Sequence, residues 1–88
     1  MPDDKLRSEI EKLRDELRSF APEDHDSREK LKELLGDLEL KLERPDDEEH
    51  HHSLLRIVKD AIAHFETEHP RATAILNDIM VTLSNMGI

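Results

Sequence analysis

The sequence predicts an all-α fold, a small bundle of about four helices, and three observations carry that prediction. Leucines and other large apolar residues recur three and four residues apart along most of the chain. That spacing is interrupted around Pro22, Pro45 and Pro70, where a helix cannot run on. The composition is 40% charged and rich in Glu, Lys, Arg and Leu, with glycine only at 36 and 87. Eighty-eight residues make one domain, 1 to 88, with a small core.

Helix one is expected from about 3 to 20. Asp3 and Asp4 suit its first turn, and Leu6, Ile10, Leu13, Leu17 and Phe20 form a narrow apolar seam. After the connection at Pro22, Asp26 and Glu29 have the spacing of a capping box, and helix two runs from 26 to 43. Its seam is Leu31, Leu35, Leu38 and Leu42, widened by Leu34, with Leu40 outside it. Repeated spacing and a short linker make the first two helices an antiparallel αα-hairpin. Gly36 costs up to ~1 kcal/mol relative to Ala, which a closely approaching second helix would explain.

Helix three is expected from 47 to 67. Asp46, Asp47, Glu48 and Glu49 complement the dipole at its start without any ligand. Leu55, Val58, Ile62 and Phe65 are read as its main stripe, broadened by Leu54, Ile57 and Ala61. Pro70 opens helix four, 70 to 86, after a link short enough to force a sharp turn or a kink. Gly87 and Ile88 suit a Schellman stop, with Ile88 against Leu83.

Helix four is the segment around which the rest is organised, and it is expected to be the most buried. Arg71 and Asp78 are its only charged residues, so the net charge of −9 lies upstream. Ala72, Ile75, Leu76, Ile79, Met80, Leu83 and Met86 share an arc roughly 140° wide, too broad for a two-stranded seam. The opposite side, Ala74, Asn77, Val81, Ser84 and Asn85, also lacks charge and is a second face that a neighbour can cover. Burying the large apolar residues of this helix contributes ~12 to 24 kcal/mol gross, before conformational entropy.

The rest of the composition narrows function. No Cys is present, so neither disulfides nor thiolate zinc sites staple the fold, and oligomerisation is the simplest remaining support. Net negative charge, interleaved acids and bases, and only two aromatics disfavour nucleic acid and anionic membrane surfaces. The amino terminus has no secretory signal pattern and no apolar run spans a bilayer, which leads to the expectation of a cytoplasmic protein.

The closing run Glu68, His69, Pro70, then Ile75 to Met80, then Leu83 to Ile88, resembles the end of a bacterial family of short helical proteins classed as a domain of unknown function. The likeness extends over the chain, through Pro45 and Asp46 and through His51 to Leu54. It implies a small helical protein and carries over no catalytic residue. Some relatives in that family bear a label tying them to chromosome-partitioning ATPases. With glycine only at 36 and 87 and no Gly-Lys-Ser/Thr, this chain has no phosphate-binding loop, so the resemblance leaves at most a role accessory to such an ATPase.

Glu48 with His51, Glu49 with His52, and Glu66 with His69 repeat the Glu-x-x-His spacing of di-iron bundles. These residues define a competing reading as a metal-dependent enzyme. Against it, the first two pairs stand in an acid-rich first turn, the third at a helix end, and no inward Glu interrupts the leucine seams of helices one and two. Solvated histidines, with adventitious metal on His50 to His52, are the simpler reading; a pH-sensing role for the six His is a softer alternative. No Ser stands in a nucleophile-elbow context. The expectation is therefore a non-enzymatic interaction or scaffold protein without cofactor or metal. It is expected to be homodimeric through Ile75, Leu76, Ile79, Met80, Leu83 and Met86, or to serve as an adaptor for a larger protein.

Overall fold

Four helices account for nearly all of the computed structural model, which describes residues 2–86: α1 (Pro2–Arg18), α2 (His25–Glu43), α3 (Glu48–Phe65) and α4 (Pro70–Met86). The expected stop at Gly87 and Ile88 lies outside the described residues. At 1.5 Å per residue the helices are about 26 to 29 Å long. They stand side by side in a body 38 × 21 × 19 Å.

α1 and α3 each pack on both α2 and α4, and among the described residues neither diagonal pair brings its backbones close. The helices thus form a closed ring in which every neighbour is antiparallel. Arg28 on α2 reaches the carbonyls of Leu17 and Phe20 at the end of α1. Arg71 on α4 approaches Glu16 near the same end. α3 and α4 therefore turn sharply and lie against each other, which settles the choice between a turn and a kink.

Local chemistry sets the ends. Pro2 takes the first position of α1, where no N–H is missed, and Asp3 and Asp4 follow in the first turn. The last turn tightens, with Ser19 N–H donating to Glu16 O and Phe20 N–H to Leu17 O, so α1 stops at Arg18 and not at Phe20. α2 opens one residue earlier than expected. Its N-cap is Asp24, and Asp26 lies inside the first turn, so the capping box at Asp26 does not form. Asp47 caps α3 by accepting from the His50 N–H at 3.0 Å. α3 ends at Phe65, because Glu66 to His69 form the reversal into Pro70.

The core is built mainly of the expected seams: Leu6, Ile10, Leu13 and Phe20 from α1 and its end, and Leu31, Leu34, Leu35 and Leu38 from α2. On α3 the buried stripe is Leu54, Val58, Ala61 and Phe65, while Leu55 and Ile62 are only partly buried and Ile57 is 37% exposed. The stripe is rotated from the expected one because α3 faces α2 and α4 at once. Extended one turn backward, this seam reaches His51.

α4 divides the residues expected at a dimer contact. Leu76, Ile79 and Leu83 are fully buried within the chain, leaving Ile75, Met80 and Met86 partly buried at the margins. Its other face, Ala74, Asn77, Val81, Ser84 and Asn85, is uncovered by this chain. α2 buries six residues and α4 five, one face each. Gly36 faces open space: a Cβ added there meets nothing within 4 Å. No helix of this chain makes the close approach that its presence suggested.

Candidate functional site

Polar chemistry concentrates at the two ends of the bundle. At one end, where the α1–α2 and α3–α4 connections meet, His69 Nε2 lies 2.9 Å from Asp24 Oδ2. An ionised carboxylate only accepts, so the imidazole Nε2–H donates. The ring is stacked on Phe20, with centroids 4.1 Å apart at 12°, and meets the Phe65 ring edge-on at 5.7 Å. These contacts fix its orientation. The His69 N–H donates to Phe65 O at 2.8 Å, and the Thr73 hydroxyl donates to His69 O at 2.9 Å. Asp24 is the N-cap of α2, yet its side chain makes no capping bond. It turns outward to His69 instead.

Glu68 completes this corner. Among the described residues, Asp24, Glu68 and His69 are the one set of three or more His and carboxylate groups whose ligand atoms all lie within 4.8 Å of one another. Of the sequence candidates, only His69 belongs to it. Glu48, His51 and His52 stand at the start of α3, and Glu66 and His69 beyond its end, about 27 Å away along an 18-residue helix. The fold does not bring the Glu-x-x-His pairs together.

The other end holds buried charge. Lys41 is 1% exposed, and its ammonium donates to Pro45 O at 3.0 Å. His51 is 4% exposed, and its buried Nδ1 has no hydrogen-bond partner among the described residues. Burial pushes the His51 pKa below its ordinary 6.5, and the neighbouring charges of Lys41, His52 and His50 push the same way. His50 Nε2–H donates to Asp37 O at 3.1 Å, and His52 is exposed. His51 is thus not the solvated imidazole expected from its acidic neighbours.

Inward polar groups also interrupt the seams of α1 and α2, contrary to expectation. Glu9 is 5% exposed with Oε1 buried and unpartnered, and Lys41 continues the line of Leu34 and Leu38. The signal was spacing, since Glu9 follows Leu6 by three, Lys41 follows Leu38 by three, and His51 precedes Leu54 by three. An open groove of about 530 Å³ between α1 and α2 is lined by Arg7, Gly36, Glu39, Leu40, Leu42 and Glu43, and none of the candidate residues opens into it.

Compared with known proteins, residues 6–88 match the model of a family described as a domain of unknown function, DUF4404. The chain belongs to that family. The family's description states no activity. No curated protein and no solved structure matches the chain. Among the described residues, no helix is long and apolar enough to cross a membrane.

Proposed function

We propose that this member of the family catalyses no reaction and acts as a cytoplasmic interaction module, associating with a second copy of itself through the outward face of α4. One observation carries the reading. On a chain with net charge −9, the exposed residues Ala74, Asn77, Val81, Ser84 and Asn85 make an uncharged strip bordered by a single acid, Asp78, and Val81 at its centre is 57% exposed. The exposed residues of α1, α2 and α3 include numerous Asp, Glu, Lys and Arg. Two copies repel least where each presents the least acid, which favours the α4 faces meeting about a two-fold axis.

Met80 borders that strip beside Ser84 and extends the apolar contact, while Ile75 and Met86 lie beyond Asp78 on the other margin. Leu76, Ile79 and Leu83 support it from beneath, holding α4 to the core. One helix face is smaller than the ~1,200 Å² of a standard interface, so the association is concentration-dependent. Light scattering on tag-free protein across a range of concentrations tests the reading. Mass should rise toward a dimer, and Val81→Glu should hold it at monomer mass without loss of helicity. Ile79→Asp reports on the fold instead, because Ile79 is fully buried within the chain. A wild-type protein that stays monomeric at millimolar concentration would sink the proposal.

A further inference from the structure

We propose that Asp24, Glu68 and His69 form a binding site for one divalent transition cation, zinc or manganese, which clamps the α1–α2 connection to the α3–α4 connection. The three donors come from two connections far apart in sequence, and their ligand atoms already lie within 4.8 Å of one another. The 2.9 Å between His69 Nε2 and Asp24 Oδ2 fits this use. Two ligands about 2.0 to 2.2 Å from one cation are about 2.9 Å apart at an octahedral right angle and about 3.3 Å apart at a tetrahedral one. The cation therefore enters with a small opening of the pair and no rebuilding of backbone.

Two further features favour occupancy. The His69 ring is held between Phe20 and Phe65, so little rotational freedom is lost when its nitrogen becomes a ligand. Asp24 stands at an N-cap but turns its carboxylate away from the helix N–H groups and toward the imidazole, leaving a second oxygen and the Glu68 carboxylate beside it. Two carboxylates and one imidazole suit a borderline divalent ion, and Glu68, on the exposed side, can close over it. In binding, the cation takes the place of the Nε2 proton. A neutral ring moves that hydrogen to Nδ1, and an imidazolium also releases one proton to solvent, so affinity falls at acid pH.

The test is calorimetric titration of tag-free protein with zinc and, separately, manganese, paired with NMR of the imidazole signals. His52→Asn controls for adventitious capture by the His50 to His52 run. Wild type and His52→Asn should each take up one equivalent of zinc, with the His69 ring resonances moving. His69→Gln and Asp24→Asn should weaken binding about tenfold or more. Should those two variants fail to fold, Glu68→Gln at an exposed side chain serves, with a weaker but measurable loss expected. Absence of one-equivalent binding in wild type would overturn the site, as would binding that survives both His69→Gln and Glu68→Gln or that disappears in His52→Asn.

Discussion

The Asp24 carboxylate accepts a hydrogen bond from a histidine 45 residues further along, His69, at 2.9 Å, and so ties the start of α2 to the start of α4. Neither group is freely solvated: their side chains are 28% and 19% exposed. Asp24→Ala should therefore destabilise the protein by about 1 to 2 kcal/mol, since it removes a charge-assisted bond and leaves the imidazole donor unpaired. Asp26→Ala, at an exposed first-turn position, should change stability by no more than about 0.5 kcal/mol. Urea unfolding of the two variants with chelator present separates them, and equal losses would contradict the assignment of Asp24 as the tie.

Gly36→Ala should stabilise by about 0.5 to 1 kcal/mol. The position is mid-helix and exposed, nothing lies within 4 Å of the added Cβ, and Ala narrows the unfolded ensemble. Thermal unfolding of an 88-residue chain resolves such a gain as a rise of several degrees. A fall would mean that another copy or partner packs against this glycine in solution.

Stability should decline as pH drops below about 6.5 in part through His51. Its pKa is lower folded than unfolded, so the unfolded chain binds more protons between the two values, and each step downward in pH there favours unfolding. Above 6.5 the contribution is fully present; below the folded value it levels off. His51→Leu removes both the titration and the unpartnered Nδ1. Urea unfolding at pH 7.5 and 5.5 should show a smaller difference for the variant than for wild type, and an unchanged difference would mean that His51 does not contribute.

Lys41→Met should raise the His51 titration midpoint without restoring it to 6.5. Desolvation, the larger cause of the depression, remains when the ammonium is gone. The hydrocarbon stem of Met keeps the packing of this fully buried side chain, so the fold persists. Imidazole proton shifts followed through a pH series give the midpoint directly. A midpoint that stays put or falls would show that Lys41 does not act on His51.

Much of this was legible in apolar spacing. Four helices, their antiparallel hairpin and most of the seam leucines follow from the three-and-four repeat, its proline breaks and the short linkers. What spacing concealed was polarity at seam positions. Glu9, Lys41 and His51 each sit where the repeat demands an inward residue, but charge made them read as surface. The run of acids before His51 strengthened that impression, although an N-terminal turn can be acidic outside and buried inside. The Asp24 corner was less accessible still. A capping residue whose side chain bonds to another connection looks, in sequence, like any other cap, and Asp26 with Glu29 offered a more regular motif. On α4, the breadth of the apolar arc was read correctly. The arc did not reveal that Leu76, Ile79 and Leu83 would be sealed within the chain, leaving only Ile75, Met80 and Met86 at its margins.

The ring of helices also orders the folding reaction. Three of the four packings, α1 on α2, α2 on α3 and α3 on α4, join successive helices and close short loops. Only α1 against α4 must bring opposite ends of the chain together, so it is the slowest contact to win. Amide protons of α1 should then exchange through a partial opening in which α2, α3 and α4 stay docked as a three-helix remnant. The protein would breathe along the α1–α4 seam, at whose mouth Arg71 faces Glu16 across 3.9 Å.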